Sequence, residues 1–334
     1  MTRKSRRDGP AHGVFLPPPA VRAHPPVIAA PLRAEWLALR PVHTTLVHTG
    51  MGPRRSIRAA RRLDPRARIV AGVGGGLAEG VEPGDIVVAT EVRGPEGLSF
   101  TCPSAPLVAG ALRRQGLRVH CGPIVSVRRV IGGAGRRTLA RSGALAVDTE
   151  SAWLAPPADT PFAVVRAISD TERASLFSPG IVATGFAALR TLRRAVPVLD
   201  RWAAAVRPRR LLLAGPRSIA DGRMVDLLDR TPAQGWHRDD SSTSNRQLSP
   251  ESLLLLVTGS AASSTATTLL DHAERKAVAA VLIDDIGMLE LGDLAGVTDV
   301  AIASVETEPT GLVDDMITGI AGLGPVTVRA ADAA

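Results

Sequence analysis

The stretch that most constrains the fold is residues 146–171, AVDTESAWLAPPADTPFAVVRAISDT. Within it, residues 162–165 are apolar and partly β-branched, and prolines precede them, so we predict a buried strand. Ser169 and Asp170 follow at the carboxyl end of this strand, where ligand sites form in open α/β sheets. Because burial disfavours the charged form of a carboxylate, Asp170 is a candidate general acid. The alternative is a helix cap or turn residue, since aspartate side chains bond readily to nearby backbone.

Strand patterns alternate with helix patterns along the chain. Over residues 25–206 this alternation predicts an α/β fold, a three-layer α/β/α sandwich. The composition changes after Arg207, and a new series of strands and helices over residues 207–328 predicts a second, smaller α/β domain. Residues 1–24 are basic and rich in proline, which indicates a disordered tail of a cytoplasmic protein rather than a signal peptide.

Composition narrows the classes of function. The 334 residues carry a formal net charge of +8, almost all of it from arginine, but aromatic residues for base stacking are scarce, so we expect no nucleic-acid partner. No apolar run reaches the ~18 to 20 residues of a membrane span. Cys102 and Cys121 lack metal-ligand spacing, so we expect no metal and no cofactor.

The segments AVDTES and PFAVVRAISD resemble the carboxyl-terminal signature of the purine nucleoside phosphorylase and methylthioadenosine/adenosylhomocysteine nucleosidase superfamily, in which members read approximately AVDMEGAA and PFVVVRAISD. The resemblance implies that Glu150 holds the ribose hydroxyls and that Asp170 protonates or hydrogen-bonds N7 of the departing purine. An ionised carboxylate accepts hydrogen bonds from two adjacent hydroxyls, and an acid near a leaving base is worth about two to four orders of magnitude in rate. We expect Asp148 to be a solvated turn carboxylate.

Three further segments extend the resemblance. PLRAEW resembles the PLRAK segment of hexameric purine nucleoside phosphorylases, which implies phosphate binding by Arg33; a helix-surface cation is the alternative. Nucleosidases have a water-positioning glutamate in this region, and Glu35 is the only nearby carboxylate, displaced along the sequence. The turn TGMG and the run GVGGGL resemble the superfamily's glycine turns, although Val73 replaces its small hydroxyl residue and a bulged hairpin would also explain the glycines. The substrate-binding residues implied are Arg33, Gly50, Met51, Gly52, Gly74, Gly75, Thr149 and Ser169.

Residues 210–322 resemble a shortened hydroxymethylbutenyl diphosphate reductase, through LLAGPRSIADG, DSSTSNRQ and VTGSAASSTATTLLDHA. Ala220 and Asp240 stand where that family has cluster cysteines, and thiolates are what hold such a cluster. We therefore expect no iron–sulfur absorption after anaerobic purification. A diphosphate contact through Ser263, Ser264 and Thr307 is one hypothesis for this segment, and an ordinary helix N-cap is the other.

The leading hypothesis is an enzyme that cleaves the N-glycosidic bond of a purine nucleoside or adenosyl conjugate, by water or by phosphate as co-substrate. One alternative is a catalytically inactive module that binds a nucleoside or an isoprenoid diphosphate, and another is the reductase itself. Because similar domains act on adenosyl lipids of hopanoid synthesis, a terpenoid-linked substrate is a further hypothesis. Superfamily members commonly form dimers or hexamers, so we expect a homo-oligomer.

Overall fold

Two β-sheets organise the chain in a computed structural model that describes residues 24–171, 181–230, 253–305 and 311–331. The strands of the first sheet are β1 (Val27–Ala30), β2 (Thr45–His48), β3 (Arg68–Gly76), β4 (Ile86–Arg93), β5 (Ser99–Thr101), β6 (Val119–Ser126), β7 (Ala146–Asp148) and β8 (Phe162–Asp170). The helices around it are α1 (Arg33–Leu39), α2 (Pro53–Leu63), α3 (Ala105–Arg114), α4 (Gly133–Ala140), α5 (Ser151–Leu154), α6 (Ile181–Arg194) and α7 (Val196–Ala205), with a short 3-10 turn at Pro95–Gly97.

The first sheet closes on itself. Its order is β2-β1-β3-β7-β6-β4-β5, and β8 lies between β3 and β4, parallel to the first and antiparallel to the second. The strands β3, β8, β4, β6 and β7 therefore form a ring, with β1 and β2 continuing from β3. This topology places the carboxyl end of β8 against the end of β3, so residues far apart in sequence meet there.

Alternate residues of the central strands face two apolar layers. On β3, Ile69 and Ala71 belong to the layer that includes α3, α6 and α7, whereas Val70 faces the layer that includes α5. Because side chains alternate across a strand, a strand buried on both faces needs this continuous apolar sequence. The predicted α/β/α sandwich is confirmed.

The second sheet is smaller and entirely parallel. Its order is β11-β10-β12-β9-β13, formed by β9 (Arg209–Ala214), β10 (Leu253–Thr258), β11 (Ala279–Ile283), β12 (Asp299–Ser304) and β13 (Val326–Ala330). Its helices are α8 (Pro216–Ala220), α9 (Arg223–Arg230), α10 (Ser264–Arg275), α11 (Leu291–Leu294) and α12 (Gly311–Ala321), with a 3-10 turn at Ile286–Met288. Parallel strands joined through helices are typical of α/β units, as the alternating sequence predicts.

The two sheets share one apolar core. Leu107 of α3 and Trp202 of α7 lie in the same buried cluster as Leu254 and Ile302 of the second sheet. Helix α3 also packs closely against the 3-10 turn at Ile286–Met288. A Cβ on Gly110 would lie 2.1 Å from the carbonyl oxygen of Gly287, so only glycine fits at this position. The boundary expected at residues 206/207 stays a prediction, and the tail expected over residues 1–24 lies, apart from residue 24, outside the described residues.

One local prediction needs correction. The glycine run after Val73 was expected to form a turn, but Gly74 and Gly75 lie within β3, where a register shift against β8 accommodates them. The prediction of a turn was wrong because β8 supplies a partner strand that local sequence does not reveal. Between α6 and α7, Pro197 lies in the first turn of α7, where proline is tolerated.

Candidate active site

Buried charged groups gather where the first sheet's strands end. Each is at most 6% exposed, although charged side chains are seldom buried unless paired. They are Glu35 of α1, Arg136 of α4, Asp148 at the end of β7, Glu150 before α5, and Arg166 and Asp170 of β8. Their arrangement defines the candidate site.

Arg166 is the centre of this group. Its Nε donates to Asp148 Oδ2 at 2.9 Å, its Nη2 donates to Ser151 Oγ at 2.9 Å, and Nη2 lies 3.7 Å from Glu150 Oε2. Burial alone would lower the pKa of Arg166, but the carboxylates of Asp148, Glu150 and Glu35 raise it above its usual value. Arg166 therefore remains a buried cation that offsets the negative charge around it.

Asp148 does not behave as the sequence argument expected. It is 6% exposed and pairs with Arg166, and its Oδ1 accepts hydrogen bonds from Ser126 Oγ at 2.5 Å and from the Ser151 N–H at 3.2 Å. The expectation of a solvated turn carboxylate was wrong, because a cation from β8 reaches it inside the fold. Asp148 acts as a structural support for Arg166.

Glu150 is fixed by the loop after β2. Its Oε1 accepts a hydrogen bond from the Gly52 N–H at 3.0 Å and another from the Thr149 hydroxyl. Gly52 has φ of +84°, a left-handed conformation that glycine adopts without strain. Three residues expected from sequence, Gly52, Thr149 and Glu150, thus meet in one place.

Glu35 joins the same cluster, a position that its displacement in sequence did not suggest. Its carboxylate accepts hydrogen bonds from the Val73 N–H at 2.7 Å and the Leu32 N–H at 2.6 Å. A Cβ on Gly72 would lie 2.5 Å from Glu35 Oε1 and 2.6 Å from Arg166 Nη1, so glycine at this position lets both groups approach β3. Burial raises the pKa of Glu35 to about 7, against the opposing effects of Arg166 and the two backbone N–H groups.

Asp170 is paired in register with Gly75 at the end of β3. Ser169 Oγ is 2.8 Å from Asp170 Oδ1 and 3.3 Å from the carbonyl oxygen of Gly74, while Arg136 Nη2 donates to Asp170 Oδ2. A Cβ on Gly75 would lie 2.6 Å from Arg136 Nη2, so this glycine allows the guanidinium to reach Asp170. Arg136 was not identified from sequence, because it follows a glycine-rich segment and lies 34 residues from its partner.

One short segment of β3 contacts neighbours of both Glu150 and Asp170. Val73 contacts Glu35 through its N–H and Arg166 through its carbonyl oxygen, at 2.7 and 3.3 Å. Gly74 contacts Ser169, and Gly75 adjoins Arg136. The strand segment 73–75 thus joins the Glu150 side of the site to the Asp170 side.

The remaining sequence-predicted residues lie farther out. Arg33 is exposed on α1, and Met51 is 53% exposed. Gly50 has φ of +84° and packs under Arg55, at the start of a groove of about 520 Å³ between β2 and α2. Arg58 and Arg62 also line this groove, which gives it a positive wall.

Within the described ranges, His, Cys, Asp and Glu side chains form no group of three that could hold a metal ion. Among the helices of those ranges, none is long and apolar enough to cross a membrane.

Comparisons with known proteins bear on the first sheet. Residues 40–178 match the model of the Phosphorylase superfamily. A search of curated proteins finds no match.

Several solved structures are similar to this part of the chain. A 5'-methylthioadenosine/S-adenosylhomocysteine nucleosidase from Helicobacter pylori is 18% identical with a TM-score of 0.45, covering 52% of this chain and 97% of that one. The corresponding enzyme from Neisseria meningitidis is 20% identical with a TM-score of 0.45, covering 52% and 98%. A futalosine hydrolase of Helicobacter pylori is 17% identical with a TM-score of 0.47, covering 53% and 97%. The residues that match the model of the Phosphorylase superfamily include Glu150 and Asp170.

Proposed function

We propose that this protein cleaves the N-glycosidic bond of a purine nucleoside by hydrolysis. The observation that carries the proposal is the pair of buried carboxylates, Glu150 held by Gly52 and Asp170 held by Arg136, within the residues that match the Phosphorylase superfamily model. Such a pair suits a substrate with a sugar at one end and a base at the other. The bond between them would then lie beside residues 73–75.

Glu150 is the group proposed to bind the sugar. The Gly52 N–H and the Thr149 hydroxyl hold Oε1, while Arg166 offsets the negative charge at 3.7 Å. Each carboxylate oxygen can accept more than one hydrogen bond, so two adjacent ribose hydroxyls can still donate to Glu150. Holding the sugar in one orientation lowers the entropic part of the barrier.

Glu35 is the group proposed to activate water. A base is most effective when its pKa is close to the working pH, and burial brings the pKa of Glu35 to about 7. The competing interpretation is that Glu35 only caps α1 through the Leu32 N–H. Its second bond, to the Val73 N–H of β3, favours a role at the site, because a helix cap does not need that contact.

Hydrolysis is favoured over phosphorolysis by the charge of the cluster. Glu35, Asp148 and Glu150 surround a single guanidinium, that of Arg166, which is already bound by Asp148. A phosphate dianion would be repelled there, whereas water would not. Phosphorolysis is the second candidate, because the arginine-lined groove that begins at Gly50 offers phosphate a positive surface.

Asp170 and Arg136 face the departing base in this proposal. The base gains negative charge as the bond breaks, and a hydrogen-bond donor or acid at N7 would stabilise it. A non-catalytic nucleoside-binding module is the alternative from another class, and it requires the same contacts without turnover. The expected homo-oligomer, cytoplasmic location and terpenoid-linked substrate remain predictions.

The reductase-like resemblance of residues 210–322 also remains a prediction. Ala220 ends α8, whereas Asp240 and Thr307 lie outside the described residues. The chain's two cysteines, Cys102 and Cys121, both belong to the first sheet's region, so the second region has no thiolates for a cluster.

Chromatography of inosine, adenosine and methylthioadenosine incubated with the protein, with and without phosphate, tests the proposal. We expect free base and free sugar without phosphate, at a rate that added phosphate does not raise. Sugar phosphate formed only when phosphate is present would establish phosphorolysis instead. If no nucleoside released its base under either condition, the enzyme hypothesis would be wrong.

A further inference from the structure

We propose that one face of helix α2 docks the protein onto a membrane surface that carries anionic lipid headgroups. This face, the α2 arginine face, is formed by five residues of the 11-residue helix, Arg54, Arg55, Arg58, Arg61 and Arg62. The proposal concerns where the protein binds, and it does not depend on the proposed function.

The spacing of the five arginines gathers them on one side of α2. With 3.6 residues per turn, their positions span about 120° of the helix circumference. The buried residues of α2, Ser56, Ala60 and Leu63, lie on the opposite side, where the helix packs against the fold. All five arginines are exposed along a helix of about 16 Å, so they form an extended positive patch.

This patch has no negative charge to offset it. Residues 41–63 contain no aspartate or glutamate. In the part of the chain that the structure describes, none of the five guanidinium groups forms an ion pair with a carboxylate. Exposed arginines elsewhere do pair, since Arg118 lies 3.4 Å from Glu82 and Arg128 lies 2.6 Å from Glu96. Like charges on one helix face repel each other, so an external anionic partner stabilises the α2 arginine face.

Apolar side chains lie beside these cations. Ile57 is 38% exposed and lines a concavity together with Arg54 and Arg61, and Met51, just before the helix, is 53% exposed. Guanidinium groups bind phosphate oxygens through paired N–H donors. Apolar side chains next to a basic surface enter the boundary between lipid headgroups and acyl chains. Arginine and exposed apolar residues together therefore suit a lipid surface.

The distribution of charge favours a surface over a single small anion. Arg55, Arg58 and Arg62 line the groove of about 520 Å³ between β2 and α2. Arg54 and Arg61 lie outside that groove. A small-molecule site encloses its ligand with a few precisely placed polar groups, whereas these five cations are all exposed. A surface that presents many phosphates can bind all five at once.

The local sequence also favours lipid over single-stranded nucleic acid. Residues 37–99, which include α2, contain no aromatic residue on which a base could stack. The exposed side chains next to the arginines are aliphatic instead.

Sedimentation of the full-length protein with vesicles tests the proposal. We expect it to sediment with vesicles of phosphatidylcholine and phosphatidylglycerol in equal parts, but not with phosphatidylcholine alone. Binding should weaken between about 0.05 M and about 0.5 M salt, because salt screens exposed charges. An arginine near an anionic surface contributes about fivefold in affinity, so Arg54→Gln/Arg61→Gln should weaken vesicle binding about 25-fold.

Two further variants are the controls. Because residues 1–24 are also basic, the quantity that decides is the change caused by each variant. Arg190→Gln/Arg193→Gln removes the same charge from exposed positions of α6 and should change vesicle binding by less than about twofold. Arg54→Lys/Arg61→Lys keeps the charge and should also stay within about twofold, since a lipid surface responds to charge. Circular dichroism should show all variants folded.

Several results would overturn the proposal. Equal losses for the α2 and α6 glutamine variants would mean that net charge, and not the α2 arginine face, drives binding. Vesicle binding that the α2 variants leave unchanged, or no vesicle binding at all, would exclude α2 as a docking face. Soluble glycerol phosphate that binds as tightly as the vesicles would identify a small-anion site instead. Preference for duplex RNA over vesicles would identify a nucleic-acid surface. None of these measurements requires turnover, so failure of the proposed function would leave the result intact.

Discussion

Arg166 of the first sheet and Arg209 of the second are both buried, and the partners of these two arginines differ. Arg166 of β8 pairs with Asp148 and lies near Glu150 and Glu35. Among the described residues, the acceptors of Arg209 of β9 are all backbone carbonyl oxygens. Burying a cation with carboxylates concentrates charge where a substrate can use it. A buried cation that donates to backbone carbonyl oxygens instead connects structural elements and brings no carboxylates together.

Arg209 shows the second case. Its Nη2 donates to the carbonyl oxygens of Ala205 at 2.6 Å and Leu294 at 2.8 Å, where α7 and α11 end. Burial, together with the nearby charge of Arg207, lowers the pKa of Arg209 to about 9. A cation at two helix C-termini interacts favourably with their dipoles, so Arg209 helps to join the two sheets.

The largest expected effect is on activity at the first site. Glu150→Gln should lower kcat/KM by about 10²- to 10⁴-fold, because two charge-assisted hydrogen bonds to the sugar are worth roughly 1.5–3 kcal/mol each. Steady-state release of hypoxanthine from inosine measures it. Glu79→Gln, at an exposed glutamate, is the control and should keep wild-type activity. If Glu150→Gln kept wild-type kcat/KM, the proposal that Glu150 binds the sugar would be wrong, and the cluster around Arg166 would have no demonstrated role in activity.

The next prediction concerns the stability that each of the two buried arginines contributes. Arg166→Met leaves several buried carboxylates without their cation and should lower the free energy of unfolding by about 3–5 kcal/mol. Arg209→Met leaves only carbonyl oxygens unpaired and should cost about 1–3 kcal/mol. Chemical denaturation at pH 7 measures both. If the two variants lost the same free energy of unfolding, the buried carboxylates around Arg166 would not make the fold more dependent on that arginine than on Arg209.

Sequence predicted the parts of this site that depend on local pattern. The apolar run before Ser169 specified β8, and the strand end located Asp170. Glu150 came from a resemblance rather than from a physical pattern. The roles of both carboxylates remain predictions, and the structure shows that both side chains are buried.

The charges that surround these carboxylates were harder to predict. Arg166 and Asp148 are 18 residues apart, Glu35 and Val73 are 38 apart, and each contact depends on the order of strands in the sheet. One signal was present, because an arginine inside an otherwise apolar buried strand requires a buried partner. That argument would have corrected the expectation of a solvated Asp148.

The pH dependence of Glu35 sharpens the contrast, since its effects on stability and on activity run in opposite directions. Its folded-state pKa of about 7 exceeds the ordinary value of 4.5, so the folded state retains a proton that the unfolded chain has released. The resulting stabilisation is complete below pH 4.5 and is lost as the pH rises through 7, an effect of about 2–3 kcal/mol between pH 5 and 8. Activity should instead rise about tenfold per pH unit up to pH 7, because the ionised carboxylate is the base.

Denaturation of the wild-type protein and Glu35→Gln at pH 5 and pH 8 measures the stability effect. The difference between the two proteins should change by about 2–3 kcal/mol in favour of Glu35→Gln at the higher pH. A constant difference would show that Glu35 titrates normally, and its proposed role as a base would lose its physical support.

The smallest expected effect lies at the carboxyl edge of the second sheet. There Ser263 is the N-cap of α10, and its hydroxyl accepts a hydrogen bond from the Ala266 N–H at 3.3 Å. Ser263→Ala should lower the free energy of unfolding by about 1 kcal/mol and leave base release from inosine unchanged, because a cap stabilises the helix locally. Thermal unfolding and the chromatographic assay measure the two results. A loss of activity without a loss of stability would mean that this edge contributes to the reaction, and the division between a charged functional sheet and a structural one would have to be abandoned.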